Sequence, residues 1–257
     1  MRIVIKVGTS TLAHPTGHLN IRRVETLTKV ICDIAGAGHQ VILVSSGAIG
    51  MGVGKLRLQS RPTDIPTKQA AAAVGQCELM YTYDKLFSEY HQTVAQLLIT
   101  ADDVKDPIRH ENFSNTITRL LELGALPIIN ENDTVATEEL GIGDNDTLAA
   151  MVAESIKANK LVLLSDIDGL YTADPHTDPT ARLLPVVDKI DEQILALAGG
   201  SAGSQGTGGM VTKLRAAQIC MAVKCDMIIT NGNNPEILYD ILAGEKVGTT
   251  FTEKAYV

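Results

Sequence analysis

Aromatic side chains are scarce in this sequence, which has no tryptophan, three phenylalanines and six tyrosines among 257 residues. Basic side chains are few as well, because 22 Lys and Arg stand against 30 Asp and Glu, for a formal net charge of −8. No run of basic residues occurs. These features argue against a nucleic-acid-binding surface. They also mean that an anion would have to be bound by a few locally placed cations.

Patterns typical of disulfides, metal sites and membrane segments are missing too. The four cysteines have no CxxC spacing and the six histidines form no metal-spaced cluster, so we predict reduced thiols and no metal ligands from the protein. No apolar run has the length of a transmembrane helix. Lys6 and Gly8 interrupt the first apolar run, which excludes a signal-peptide pattern. We therefore expect a cytoplasmic protein with no membrane partner.

Short apolar runs alternate with helical patterns along the chain. The predicted strands are Arg2–Val7, Val41–Val44, Val94–Ile99, Leu126–Ile129, Leu161–Leu164 and Met227–Ile229. The first predicted helix carries apolar residues on one face, at Ile21, Val24, Leu27, Ile31 and Ile34. The later predicted helices are Thr67–Glu89, Asn112–Leu123, Thr147–Lys157 and Met210–Val223. This alternation indicates an α/β fold with a mainly parallel sheet covered on both faces.

Ligands of such sheets bind beyond the carboxyl ends of the strands. Polar residues lie at four of these ends, namely Lys6, Ser45, Asn130 and Ser165. Long loops, which are often functional, are predicted at Gly54–Pro66, Thr172–Pro185 and Ala198–Gly209. Neither an internal repeat nor a clear linker divides the chain, so we expect one domain over residues 1–257.

Two segments combine a strand end with glycine. In Lys6-Val-Gly-Thr-Ser10, Gly8 would let the backbone approach a phosphate while Lys6 supplies charge. The alternative is an ordinary strand end with a surface lysine. Ser45-Ser-Gly-Ala-Ile-Gly50 is either an anion site made of backbone N–H groups or a simple helix N-cap by Ser46.

A second lysine follows a glycine-rich segment, Gly203-Ser-Gln-Gly-Thr-Gly-Gly-Met-Val-Thr-Lys213. The segment is not a Walker A motif, in which lysine directly follows the last glycine. Its glycines are suited to cover nucleotide phosphates while Lys213 points back toward them; the alternative is a disordered linker. Ser165 and Asp166 follow a predicted strand and are candidates to contact the ribose or base, unless they form only a surface turn.

Two clusters of acidic and amide residues, Asn130-Glu-Asn-Asp133 and Gly143-Asp-Asn-Asp146, adjoin apolar elements. Such residues can bind the ammonium group of an amino acid and orient lysines. The alternative is that the acidic residues only cap the start of a helix. Neither cluster matches an EF-hand loop, so Mg²⁺ would arrive on the nucleotide phosphates. Two lysines that neutralise transferring oxygens, with an aspartate to hold them, predict phosphoryl transfer.

These motifs, together with Asp168-Gly-Leu-Tyr-Thr-Ala-Asp-Pro175, closely resemble in order those of the glutamate 5-kinase family, within the amino-acid kinase superfamily. The resemblance covers essentially the whole chain. It implies a three-layer α/β/α sandwich with a mainly parallel central sheet. It also implies ATP-dependent phosphorylation of the γ-carboxylate of L-glutamate to L-glutamyl 5-phosphate, the first step of proline biosynthesis. Many members carry a C-terminal PUA domain, which we do not expect in this chain.

The resemblance also implies a role for individual residues. Lys6 and Lys213 would stabilise the transition state, with Asp146 orienting both. Glutamate would be bound by Ser46, Asp133 and Asn145. ATP would be bound by Lys6, Ser165, Asp166, Thr207, Gly208, Gly209, Met210, Val211, Thr212 and Lys213. The resemblance further implies a homo-oligomer, feedback inhibition by proline and functional coupling to glutamyl phosphate reductase.

Two alternatives remain open at this point. The first is another superfamily kinase, such as aspartokinase, acetylglutamate kinase or uridylate kinase, whose first-strand motifs carry Gly-Gly or Ser-Gly after the lysine. A nucleotide acceptor would also need a phosphate-binding arginine, and Arg57 and Arg61 lie outside the motifs. The second is a non-catalytic protein that binds nucleotides or oxyanions, which would not require Lys6, Lys213 and Asp146 together.

Overall fold

A computed structural model describes residues 1–14, 19–136, 145–175, 177–199 and 209–253 of the chain. Its strands are β1 (Arg2–Val7), β2 (Gln40–Ser45), β3 (Val94–Ile99), β4 (Leu126–Glu131), β5 (Lys160–Ser165), β6 (Val186–Val187), β7 (Asp226–Asn231) and β8 (Thr249–Phe251). Its helices are α1 (Thr9–Leu12), α2 (Ile21–Gly36), α3 (Ala48–Lys55), α4 (Ile65–Ser88), α5 (Ala101–Lys105), α6 (Pro107–Glu122), α7 (Asn145–Ser155), α8 (Glu192–Gly199), α9 (Met210–Ala222) and α10 (Ile237–Ala243).

The strands form one eight-stranded sheet in the order β3-β4-β2-β1-β5-β7-β8-β6. Every pairing from β3 across to β7 is parallel, whereas β8 runs antiparallel to β7 and β6 runs parallel to β8. The predicted α/β fold with a mainly parallel sheet is therefore confirmed. The chain moves from β1 to β2 on one side and later to β5 on the other, so β1 lies where the strand order reverses. Ligand sites in open α/β sheets form at such a point.

Helices cover both faces of the sheet and bury two separate cores. One core joins Ile3 and Ile5 of β1 to α2, α4 and α10, and the other joins Val4 of β1 to α6, α7 and α9. Side chains of a strand alternate between its faces. Lys6 therefore shares the face of Val4, under α7 and α9. Its position in the strand decides which helices meet its ammonium group.

Several predicted boundaries were wrong. Helix α6 begins at Pro107 rather than Asn112, because Asp106 caps it by accepting a hydrogen bond from the Arg109 N–H and proline fits the first turn. Ile21 was predicted to be part of a buried face, but it is the first residue of α2 and is 62% exposed. Helices α1, α5, α8 and α10 and strands β6 and β8 were not predicted, and all of them are short.

One of the three predicted loops is shorter than expected. Helices α3 and α4 take up both ends of the predicted loop Gly54–Pro66. The loop Thr172–Pro185 is closed by mutual hydrogen bonds between Thr172 and Arg182. Most of the predicted loop Ala198–Gly209 lies outside the described residues.

None of the helices in the described ranges combines the length and the apolar character that crossing a membrane requires. The four cysteines form no disulfide within the described residues. Cys220 and Cys225 are buried, whereas Cys77 is exposed.

Candidate active site

A single carboxylate joins two lysines at the carboxyl edge of the sheet. The Oδ1 atom of Asp146 lies 2.5 Å from Lys6 Nζ, and its Oδ2 atom lies 2.9 Å from Lys213 Nζ. The three residues are buried, with 7%, 0% and 5% of Lys6, Asp146 and Lys213 exposed. The structure thus brings together three residues that the motifs place far apart in the chain.

Each member of this triad is positioned by the start or end of a regular element. Lys6 precedes the last residue of β1, Asp146 lies in the first turn of α7, and Lys213 lies in the first turn of α9. Helices α7 and α9 pack against each other on the face of the sheet that Lys6 shares. Helix N-termini carry partial positive charge, so the two helices add to the attraction of an anion at this point.

The turns beside the triad keep their backbones accessible. A Cβ atom on Gly8 would lie 3.7 Å from Lys6 Nζ, so a ligand held by this lysine comes close to the backbone of Gly8. Gly47 adopts φ +112°, which favours glycine, and it precedes α3 without any side-chain cap. The alternative reading of Ser46 as the N-cap is therefore wrong. The backbone at the start of α3 lines a cavity instead.

This cavity, of about 130 Å³, lies between the starts of α1, α3 and α7 and the end of β4. Its lining residues are Thr9, Ser46, Gly47, Ala48, Ile49, Gly50, Arg61, Asn130, Glu131, Asp133 and Asn145. All three residues predicted to bind glutamate line it. A cavity this small, rich in carboxylates, amides and hydroxyls, suits a small polar molecule.

A chain of side-chain amides fixes the cavity wall. Asn145 Nδ2 donates to Ser46 Oγ at 2.7 Å and to Asn130 Oδ1 at 3.0 Å. Asn130 Nδ2 in turn donates to Gln76 Oε1 at 2.9 Å, inside the protein. Asn145 Oδ1 is buried and accepts no hydrogen bond from the described residues. An acceptor in this state is suited to a donor on a ligand, such as an ammonium group.

Two carboxylates and one guanidinium set the charge of the cavity. Burial, followed by the neighbouring Glu131 carboxylate, raises the pKa of Asp133 to about 6, and Arg61 acts in the opposite direction. A cationic ligand group beside Asp133 would relieve the cost of keeping this carboxylate ionised.

The residues predicted to bind nucleotide lie along the neighbouring stretch of the same sheet edge. Ser165 ends β5 and donates a hydrogen bond to Asp166 Oδ1. Gly209, Met210, Val211 and Thr212 form the start of α9 just before Lys213. Thr207 and Gly208, like Gly143 and Asp144 of the second acidic cluster, lie outside the described residues.

A larger cavity, of about 470 Å³, adjoins these residues. It is lined in part by Asp168, Asn231 and Gly248. Ser165 is the register partner of Asn231, so the cavity opens beside the end of β5. Asp168 accepts hydrogen bonds from Asn231 Nδ2 and Tyr171 OH. The sheet edge therefore offers a small polar cavity and a larger one on opposite sides of Lys6.

Sequence reasoning missed two residues of the small cavity and its wall. Arg61 was set aside because it lies outside the motifs, yet its side chain helps to form the cavity. Gln76 carried a usable signal, since it interrupts the buried stripe Ala72, Leu79, Tyr83 and Phe87 of α4 with an amide. No local pattern marks Arg61, because only the packing of α3 and α4 brings its loop over the cavity.

Comparison with known proteins places this geometry among kinases. A sequence model described as the amino acid kinase family matches residues 1–231. The glutamate 5-kinase of Listeria innocua serovar 6a is 54% identical, in an alignment that covers 98% of this chain and 93% of the relative. The glutamate 5-kinase of Clostridium perfringens is 51% identical, with 98% and 96% covered.

Solved structures with the same fold are more distant in sequence. Carbamate kinase from Giardia lamblia bound to AMP-PNP has a TM-score of 0.71 at 19% identity, covering 98% of both chains. Isopentenyl phosphate kinase from T. acidophilum has a TM-score of 0.66 at 19% identity, covering 98% of this chain and 100% of the other. At such identities the likeness concerns the fold.

Proposed function

This chain belongs to the amino acid kinase family, and within it to the glutamate 5-kinases, and from that membership we propose how its site phosphorylates the γ-carboxylate of L-glutamate with ATP. A γ-carboxylate oxygen attacks the γ-phosphorus, the bond from that phosphorus to the β,γ-bridging oxygen breaks, and ADP leaves. The product is L-glutamyl 5-phosphate, the first intermediate of proline biosynthesis. The observation that carries the proposal is Asp146 with one lysine on each oxygen, beside a small cavity.

The chemistry needs charge neutralisation more than proton transfer. A carboxylate is already a nucleophile and requires no general base. Its obstacle is repulsion from the phosphates, and the reactants must also be aligned. Lys6 and Lys213 are held side by side by Asp146, so their ammonium groups need no rearrangement as negative charge shifts between oxygens. We assign transition-state stabilisation to both lysines and their orientation to Asp146.

The small cavity is assigned to glutamate. Asp133 and the Asn145 oxygen that accepts no hydrogen bond from the described residues are suited to a ligand that carries an ammonium group. Ser46 is fixed by its hydrogen bond from Asn145. The γ-carboxylate would then extend along the start of α3 toward Lys6. Ser165, Asp166 and the segment from Thr207 to Lys213 are assigned to ATP, with the larger cavity as room for its nucleoside.

Mg²⁺ fits this site as a cation bound to the phosphates of the nucleotide. The described residues contain no group of three acidic, histidine or cysteine side chains arranged around a common point, and Asp146 has a lysine on each oxygen. We therefore propose that the cation is held chiefly by the phosphates. In that position it would neutralise phosphate charge.

Further proposals follow from the family. We propose that residues 1–257 form one amino-acid kinase domain, that the protein is cytoplasmic and a homo-oligomer, and that it is functionally coupled to glutamyl phosphate reductase. We also propose feedback inhibition by proline. A non-catalytic binding protein is disfavoured, because binding alone does not require the shared carboxylate between two lysines.

An ATP-dependent hydroxamate assay tests the reaction. Hydroxylamine traps an acyl phosphate, so parallel reactions with L-glutamate, L-aspartate and N-acetyl-L-glutamate report both the reaction type and the acceptor. Strong product formation with L-glutamate alone is expected. A preference for either other acceptor would reject the assignment to glutamate, and ATP hydrolysis without hydroxamate would reject carboxyl phosphorylation.

The substrate assignment has its own test. Asp133→Ala and Asn145→Ala should each raise the KM for glutamate while the KM for ATP moves little, because their side chains line the small cavity and not the nucleotide residues. An effect confined to the ATP KM would show that the cavity belongs to the nucleotide.

A further inference from the structure

Arg61 lines the small cavity, which is proposed to bind the acceptor glutamate. The family motifs assign no role to this cation. It lies on the loop between α3 and α4, and its side chain lines the cavity together with Ser46, Asp133 and Asn145. Within the described residues, no carboxylate lies within ion-pair distance of its guanidinium. Its charge is nevertheless close enough to Asp133 to oppose the rise in the pKa of that carboxyl group that burial and Glu131 cause.

The loop that carries Arg61 is anchored at both ends. At its start, helices α3 and α4 touch backbone to backbone, since a Cβ atom on Gly52 would lie 1.8 Å from the Ala71 carbonyl oxygen. At its end, Asp64 caps α4 by accepting a hydrogen bond from the Thr67 N–H at 2.9 Å. Arg61 is exposed, but its loop connects two helices that pack against each other.

Asp133, Lys6 and Arg61 offer one oppositely charged partner for each charged group of an α-amino acid with an acidic side chain. Glutamate brings one ammonium and two carboxylates. Asp133 suits the ammonium, and the γ-carboxylate must reach Lys6, where the phosphoryl group arrives. That leaves the α-carboxylate, one bond from the carbon that bears the ammonium and therefore close to Asp133. Arg61 is the guanidinium placed beside Asp133.

We infer that Arg61 binds the α-carboxylate of the acceptor amino acid and thereby selects free α-amino acids over derivatives in which that group is neutral. The planar guanidinium can donate two parallel hydrogen bonds to one carboxylate. With Asp133 on the ammonium, this contact fixes the amino-acid head and leaves the side-chain carboxylate to point toward Lys6. The inference rests on the proposed reaction, in which the same cavity holds glutamate.

The alternative is that Arg61 is only a hydrophilic surface residue of the loop. The two roles differ in whether the effect of a substitution depends on the α-carboxylate of the substrate. A surface role makes no distinction between substrates, whereas an α-carboxylate contact acts only on substrates that carry that charge.

The test pairs a substitution in the enzyme with the matching change in the substrate. Arg61→Gln and, as a control, Arg57→Gln on the same loop are assayed with L-glutamate and with its α-amide, L-isoglutamine. The α-amide keeps the ammonium and the γ-carboxylate. It is measured both as a substrate in the hydroxamate assay and as a competitive inhibitor, so that binding is scored even where turnover is slow.

We expect Arg61→Gln to lower kcat/KM for L-glutamate by about 10–100-fold, as for a lost charge-assisted hydrogen bond. The kcat/KM and the inhibition constant of the α-amide should change little, as should the KM for ATP. The preference of the enzyme for glutamate over its α-amide is therefore lost. Arg61→Lys should restore part of the preference, and Arg57→Gln should behave as the wild type.

An equal loss for glutamate and its α-amide would overturn the inference, as would unchanged kinetics in Arg61→Gln with an active wild type. Thermal melting of each variant separates these results from misfolding. Failure of the wild type itself to form hydroxamate with glutamate would instead overturn the proposed reaction, and the inference with it. The two failures are therefore distinguishable.

Discussion

Asp146 is buried with a lysine ammonium on each carboxylate oxygen. A buried charge that loses its partner is destabilising by about 3–5 kcal/mol, whereas the intact pair contributes little net stability. The triad is therefore better explained by its chemistry than by stability. Its members hold two positive charges beside one another at an edge where phosphate oxygens would lie.

Replacing either lysine should act mainly on the chemical step. We expect Lys6→Ala and Lys213→Ala each to lower kcat by about 10²–10³, or roughly 3–4 kcal/mol, because charge shifts between oxygens only as the phosphoryl group moves. The KM for glutamate should change far less. Steady-state kinetics against Lys29→Ala, an exposed lysine on α2, check this. A near-normal kcat in either variant would remove that lysine from the mechanism.

The raised pKa of Asp133 predicts a pH dependence of glutamate binding. Above about 6 the carboxylate is ionised and can pair with an ammonium group, and below about 6 it is protonated. The kcat/KM for glutamate should therefore fall as pH decreases through about 6, while the KM for ATP changes little. Asp133→Asn should show low activity without this inflection. An inflection of the same size in Asp133→Asn would assign the titration to another group.

Stability should respond in the opposite direction at the same residue. The folded-state pKa of Asp133 lies above its ordinary value of 3.8, so folding favours the protonated form. Its ionised form thus destabilises the protein at neutral pH, and the effect disappears as pH falls toward 3.8. Asp133→Asn should raise the free energy of unfolding at pH 7.5 by on the order of 1–2 kcal/mol, and not at pH 4. Denaturation at the two pH values measures the difference.

Helices α3 and α4 pack so closely that glycine is required on both sides. A Cβ atom on Gly75 would lie 1.7 Å from the Ala48 carbonyl oxygen, and one on Gly52 would meet Ala71. Both contacts involve backbone, which a side-chain rearrangement cannot relieve. This packing connects the first turn of α3, at the cavity, to the α4 helix that carries Gln76.

Alanine at these positions should separate the two helices. We expect Gly75→Ala to destabilise the protein by roughly 1–3 kcal/mol or more through overpacking, and to raise the KM for glutamate because the cavity wall moves. Gly54→Ala is the matched control, since a Cβ atom there meets nothing within 4 Å and alanine favours a helix. Thermal melts and glutamate kinetics test both. Equal stability of the two variants would contradict the packing argument.

The long elements could be predicted from hydrophobic pattern alone. Strands β1 and β3 were predicted with their observed bounds, because short runs of mainly aliphatic residues are a direct signal. Strands β6 and β8 have two and three residues, too few for any periodicity to appear. The start of α6 was missed although Asp106 and Pro107 form a recognisable N-terminal signal.

The site was predicted where it lies in contiguous motifs. Lys6, Asp146 and Lys213 were named from their neighbours in sequence, and the structure brings them together. Arg61 and Gln76 depend on distant elements instead. Arg61 reaches the cavity through the packing of α3 against α4, and Gln76 through a hydrogen bond to Asn130 on β4. Contacts of this kind cannot be found from local spacing.

In the whole molecule, the small cavity proposed to bind glutamate and the residues proposed to bind nucleotide lie on opposite sides of β1, where the strand order reverses. The separation lets one ligand site change without rebuilding the other. An amino acid that resembles glutamate is then expected to regulate the protein by binding in the small cavity.

Proline should inhibit in competition with glutamate, because the two share an α-amino-acid head that the small cavity is suited to bind. The inhibition should weaken as glutamate rises, since an inhibitor shifts activity only by its differential affinity. Initial rates at several glutamate concentrations, with and without proline, measure this. Inhibition that glutamate cannot relieve, or none at sub-saturating glutamate, would reject the shared site.

The carboxylate shared by Lys6 and Lys213 also has a consequence for synthesis on the ribosome. A nascent chain presents Lys6 first, Asp146 much later and Lys213 last, because the chain is made from its N-terminus. Before α9 has been made, Lys213 is not yet available to pair with the Oδ2 atom of Asp146. Chemistry that needs both lysines cannot begin until α9 has emerged and docked beside α7.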